Sequence, residues 1–114
     1  MEIVTIDRKT ILQQELQRLV GILKASRNTE KIMLFGSLSS GVVREDSDLD
    51  LVVVEQTASP FWQRQREMRR RFRPRIGVDL LVYTPAEFEQ LCRERPFFRD
   101  EVVAKGKVIY EQSQ

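Results

Sequence analysis

Leu34-Phe35-Gly36-Ser37-Leu38-Ser39-Ser40-Gly41-Val42-Val43-Arg44-Glu45-Asp46-Ser47-Asp48-Leu49-Asp50-Leu51 is the stretch from which the fold is read. It begins at the end of an apolar run, Lys31-Ile32-Met33-Leu34-Phe35, that suits a buried strand. It then turns at Gly36-Ser37 and re-enters an apolar run over residues 49–54. Asp48 and Asp50 stand two apart where that second run begins. A strand's period of two puts both carboxylates on one face, aimed at one place. Two anions that close repel, and a divalent cation between them reverses the penalty, so the pair asks for Mg²⁺. The plainer alternative is that these acids cap the solvated entrance of the strand, as Asp46-Ser47 would in a turn.

A third carboxylate, Asp79, sits in Val78-Asp79-Leu80-Leu81-Val82-Tyr83. That run reads as a buried strand, where a charge is costly unless paired or metal-bound. If this strand pairs beside the one holding Asp48 and Asp50, three oxygen donors converge, as a two-metal phosphoryl-transfer site requires. Gly36 lets backbone approach a phosphate, and the amides after it, from Ser37 onward, can donate to anionic oxygens.

Outward from this stretch, helices and strands alternate. Ile11, Leu12, Leu16, Leu19, Val20 and Leu23 recur at helical spacing behind Asp7, a natural N-cap. Ser59-Pro60 predicts a helix with Ser59 as N-cap and Pro60 in the first position, burying Phe61, Met68 and Phe72 on one face until Pro74 stops it. Thr84-Pro85-Ala86-Glu87 is a capping box opening a short helix, ended by Pro96. Phe98 and Val102 predict a last helix with Gly106 as its C-terminal cap, and Val108-Ile109-Tyr110 an edge strand. The expectation is an α/β fold, one small mixed sheet flanked by helices, over residues 1–114.

The composition agrees with one soluble globular domain: 114 residues, 41% hydrophobic and 32% charged. No stretch approaches the ~20 apolar residues that cross a bilayer, and residues 1–7 lack the basic region and apolar core of a secretion signal. The cytoplasm is the expected compartment. There is no histidine and a single cysteine, Cys92, which excludes histidine-based triads, histidine-ligated metals and any internal disulfide. Cys92 itself reads as a buried small hydrophobe. The chemistry must run on carboxylates, hydroxyls, amines and hard metal ions.

Taken together, Gly36-Ser37, ten intervening residues, Asp48-Leu49-Asp50 and then Asp79 resemble the pattern of the DNA polymerase β-type nucleotidyltransferase superfamily. The compact length, the leading helix and the segment from Phe98 to Tyr110 resemble its minimal single-domain branch, the MNT proteins. That resemblance implies Mg²⁺-dependent attack of an acceptor hydroxyl on the α-phosphate of a nucleoside triphosphate such as ATP. Asp48, Asp50 and Asp79 would be the catalytic metal ligands, and Gly36 and Ser37 would bind the triphosphate. Where many members place arginines shortly after Gly-Ser, this sequence has Leu38 and Ser40, and Arg44 is the cation that would compensate. Minimal members of this kind resemble MntA-type antitoxins paired with a HEPN-domain toxin RNase, some of which transfer AMP to a tyrosine of that partner. The length leaves no room for a separate acceptor-binding domain, so a second protein is expected to present the acceptor.

The last feature is Arg64, Arg66, Arg69, Arg70, Arg71, Arg73 and Arg75 set against Glu67 alone, a local charge of +6 where the chain totals +2. Such a face can be a solvated helix surface, neutralise nucleic-acid phosphates, meet an acidic partner or steer a triphosphate. Phe61, Trp62 and Phe72 fall at core-like spacing and not between the arginines as stacking platforms, which favours a protein partner. The alternatives to transfer are therefore a binding module that neutralises its partner by occlusion, and a nucleic-acid-binding regulator.

Overall fold

The computed structural model describes residues 7–113. Residues 1–6, part of the stretch read above as unlike a secretion signal, lie outside the described residues. Strands β1 (Thr29–Phe35), β2 (Leu49–Glu55), β3 (Val78–Tyr83) and β4 (Lys107–Glu111) form one sheet in the order β3-β2-β1-β4. β1 runs antiparallel to both β2 and β4, whereas β2 and β3 are parallel. Parallel neighbours cannot be joined by a tight turn, and the crossover between them is helix α3 (Phe61–Phe72), numbered after α1 (Arg8–Leu23) and α2 (Gly36–Ser40). Helix α4 (Pro85–Glu94) and a π-helical turn, Phe98–Val103, complete the chain before β4.

Alternation along the strands divides the sheet into two faces. Leu49, Leu51 and Val53 of β2 share one core with Leu12, Leu19 and Leu23 of α1 and with Met68 and Phe72 of α3. The opposite parity carries Asp50, Asp79 and Tyr83, and there Phe98 of the π turn packs edge-on against Tyr83 and Phe88 at 5.9 and 5.8 Å. Asp7 caps α1 as expected, its Oδ1 accepting the Thr10 N–H at 2.8 Å, and the Thr84/Glu87 capping box closes on α4.

Four local expectations are corrected. Pro60, not Ser59, occupies the N-cap of α3, because the Ser59 hydroxyl is committed to Glu67 at 2.9 and 3.0 Å. Phe61 is 42% exposed and stacks on Tyr83 at 5.5 Å, while Arg64 joins Met68 and Phe72 on the buried face. Gly106 does not cap with a left-handed backbone; it is required because a Cβ there would lie 2.5 Å from Phe35 Cε1 and 2.8 Å from the Val102 carbonyl. Cys92 is half-buried, since α4 lays no fully buried residue against the sheet.

Two charged groups lock the helices. Glu15, only 5% exposed, accepts Arg18 Nε at 2.7 Å and the Arg75 N–H at 2.6 Å. Arg18 in turn donates to the Phe72 and Arg73 carbonyls at 2.8 and 3.0 Å, satisfying groups that the end of α3 leaves without helical partners. Arg64 grips Glu87 with both Nη atoms and donates to the Ser59 and Val82 carbonyls. Arg69 donates to the Val78 carbonyl, and Arg71 pairs with Glu55 at 2.9 Å. Part of the arginine stretch thus holds the fold together and is not free surface charge.

Two glycines should respond in opposite directions. Gly21 lies in α1, where an added Cβ would meet nothing within 4 Å, so Gly21→Ala should stabilise by roughly 0.5–1 kcal/mol through helix propensity. Gly106→Ala should cost about 1–3 kcal/mol through the forced shift of Phe35. Urea unfolding of the two variants measures both.

Candidate functional site

Phe35 pairs with Asp50 across β1 and β2, so the residue after Phe35 meets the Asp50 carboxylate. Gly36 is that residue; its φ of +67° and the 1.9 Å that would separate an added Cβ from Asp50 Oδ2 leave room for glycine alone. Helix α2 starts there and closes at Gly41, φ +89°, whose N–H bonds the Ser37 carbonyl at 2.9 Å. The parallel register of β2 on β3 then sets Asp79 directly opposite Asp50.

The two carboxyls face each other in register, and Asp50 is pushed up to about 6. Burial is the largest cause, followed by the proximity of the Asp79 carboxyl and the charges of Asp79 and Asp48. Asp79 itself is exposed. β3 is an edge strand whose residues alternate buried and exposed, so the expectation of a costly charge in a fully buried strand is corrected. What makes Asp79 informative is its register, not its burial.

Asp50, Asp79 and Gly36 line one cleft of about 620 Å³, together with Arg69, Gln65, Tyr83, Phe98 and Glu101. A cleft of that size suits a small molecule of nucleotide dimensions. Asp48 stands aside from it. Its carboxylate, 45% exposed, lies 3.6 Å from Arg8 Nη2, and Arg8 Nε is anchored on the Ser47 carbonyl at 2.8 Å. Gly77 makes space for Asp48, since a Cβ there would meet Oδ1 at 2.3 Å. Among the described residues no group of three acidic, cysteine or histidine side chains is closed enough to hold a metal. Asp50 and Asp79 nevertheless fit a hard divalent cation: two oxygen donors in one cleft, one of them driven toward protonation by burial and by the neighbouring carboxylates.

Ser37 is half-buried in α2, and Arg44 is exposed in the following loop, where its N–H bonds Ser47 Oγ at 2.8 Å; neither lines the cleft. The cation that does is Arg69, which the sequence shows only as one of seven arginines. Glu101 and the aromatic wall of Tyr83 and Phe98 carry no signal of their own in the sequence. Trp62 is 70% exposed, which overturns its reading as a core residue. It stands a single position after Phe61, a turn of about 100° away from the Met68–Phe72 face.

The family described as "Polymerase beta, Nucleotidyltransferase" matches residues 17–114. Among solved structures, a Sulfolobus solfataricus protein provisionally assigned as a nucleotidyltransferase is similar with a TM-score of 0.64 and 20% identity, over 91% of this chain and 84% of that one. A toxin–antitoxin structure with AMP-PNP is similar with a TM-score of 0.52 and 21% identity, over 90% of this chain and 75% of that one. A mutant of the toxin–antitoxin MntA-HpeT has a TM-score of 0.48 and 21% identity, over 90% and 74%. No curated protein matches the sequence. No helix among the described residues is long and apolar enough to cross a membrane.

A carboxyl raised from 3.8 to about 6 costs stability once it ionises. Its favourable contribution is complete below the unfolded value and is lost as pH rises through the folded one. Asp50→Asn should therefore be more stable than the parent at about pH 7, and the gain should vanish near pH 4. Mg²⁺ should stabilise the parent above about pH 6 and leave Asp50→Asn unmoved. Urea midpoints across the range, with and without the ion, measure both effects.

Proposed function

The chain belongs to the polymerase beta nucleotidyltransferase family, and on that footing we propose that it is a Mg²⁺-dependent nucleotidyltransferase acting as the antitoxin of a two-protein module. It transfers AMP from ATP to a tyrosine hydroxyl of a HEPN-type toxin partner. The observation that carries the reading is the in-register pairing of Asp50 and Asp79 in a cleft beside the Cβ-less Gly36. Family membership supports transferase chemistry in general. Similarity in fold to a toxin–antitoxin structure with AMP-PNP supports the nucleotide and the kind of partner.

Asp50 and Asp79 would hold the metal, with Asp48 joining them once released from Arg8. When bound, Mg²⁺ neutralises phosphate charge and lowers the barrier to displacement at phosphorus. The chain's own residues do the rest. Gly36 allows the triphosphate to approach the backbone, and the free amides at the start of α2, including Ser37, receive its oxygens. Arg69, in the cleft, takes the place expected of Arg44 as the counter-charge. Tyr83 and Phe98 offer aromatic surface to the base. The acceptor oxygen bonds to the α-phosphorus, the bond to pyrophosphate breaks, and Asp79, exposed at the sheet edge, takes the acceptor proton.

Occlusion without turnover is the second reading, favoured by the engagement of Asp48 with Arg8. Incubation with labelled ATP, Mg²⁺ and the co-encoded partner separates the two. Label should appear on the partner and fall by about a hundredfold or more in Asp50→Asn and in Asp79→Asn. Neutralisation of the partner in the absence of ATP, with no label transferred, would favour occlusion.

A further inference from the structure

Helix α3 carries a stripe that neither the core nor the cleft accounts for. Trp62, Arg66, Arg69 and Arg70 fall at i, i+4, i+7 and i+8 on one face of the helix, and Arg73, its left-handed C-cap, lines the same groove. With Gln65 they line an open groove of about 560 Å³ that contains no acidic residue. Apart from Arg69, which donates to the Val78 carbonyl, the charges on this face are unspent. Arg64 and Arg71 are neutralised by Glu87 and Glu55, but none of the ion pairs among the described residues involves Arg66, Arg70 or Arg73. Set among these cations is the chain's single tryptophan, 70% exposed.

From this arrangement we infer that the α3 groove binds single-stranded nucleic acid, with an unpaired base stacked on Trp62 and successive phosphates on Arg66, Arg70 and Arg73. From Trp62 to Arg70 the stripe spans eight helical steps, roughly 12 Å, which is longer than one nucleotide. An acidic protein surface would satisfy the guanidinium groups, but the groove's lining holds no apolar residue besides Trp62 with which to build the dry pocket that buries an indole at a protein interface. A duplex buries its base faces, so only an unpaired strand uses both features. The groove adjoins the cleft, for Gln65 and Arg69 line both, so a bound strand would lie beside the site of Asp50 and Asp79. The inference stands whether or not those carboxylates turn over a nucleotide.

Because Trp62 is the sole tryptophan, its intrinsic fluorescence reports this site alone. Titration with an oligouridylate of about ten nucleotides should quench it saturably. The logarithm of the binding constant should fall against the logarithm of salt concentration with a slope of about −2 to −3, at roughly −0.7 per phosphate contact. Trp62→Ala, followed through the anisotropy of an end-labelled oligonucleotide, should weaken binding roughly five- to a hundredfold. Arg66→Ala combined with Arg70→Ala should flatten the salt slope by about 1.4. All three side chains lie outside the buried core, and unchanged urea midpoints would establish that the variants fold. Equal binding by Trp62→Ala, by duplex of the same length, or by polyglutamate in place of the oligonucleotide would overturn the proposal. So would equally strong quenching by ATP alone.

Discussion

The parallel pairing of β2 with β3 is the constraint on which the site depends. It sets Asp50 against Asp79 in register, and it requires a crossover long enough to be a helix. That helix, α3, is consequently laid along the β3 edge with Arg69 reaching the same cleft as the two carboxylates. One topological choice therefore brings two carboxyls, aromatic rings and a guanidinium into one cleft from segments well separated in sequence. A single-residue slip in the register would turn Asp79 into the α1/α3 core and Leu80 into the cleft, which the buried side chains of both strands forbid.

The elements whose signals are local were legible from the residues. Asp7 and Thr84 cap where their spacing places them, and the apolar runs at β1, β2 and β3 became strands. The parity argument joined Asp48 to Asp50, but β2 begins only at Leu49, so Asp48 lies before the strand beside Arg8 while Asp50 faces Asp79. What escaped the sequence is set by partners far along the chain. Arg8 and Asp48 are 40 positions apart, and nothing near Asp48 announces an arginine from the first helical turn. Asp79 sits on an edge because β4 joins the far side of β1, a matter of sheet order that five apolar neighbours cannot reveal. Trp62 differs, because its i, i+4, i+7 relation to Arg66 and Arg69 was present in the sequence. It was obscured by the stronger Phe61–Met68–Phe72 pattern one position away.

The arginine stretch shows how little a charge count says about what charges do. Arg64 is buried on the sheet side of α3 and held by Glu87, and Arg71 is matched by Glu55. Arg75 offers its backbone N–H to Glu15. Surface pairs of this sort contribute little by themselves, but the Arg64 group is desolvated, and breaking it would strand a charge among apolar neighbours. Only the residues facing away from the sheet remain to meet a partner, and it is there that the exposed aromatic lies.

The carbonyls of Val78 and Val82 belong to the outward rim of β3, and both are taken by guanidinium groups from α3. A sheet that ends in an unguarded strand invites a second chain to extend it, by way of fibres or swapped dimers. Here the crossover helix denies those two acceptors to an incoming strand, one near each end of the rim. The same arginines that tie the helix down thus serve as a barrier to aggregation, and they do so without placing a proline or a lysine in the strand itself.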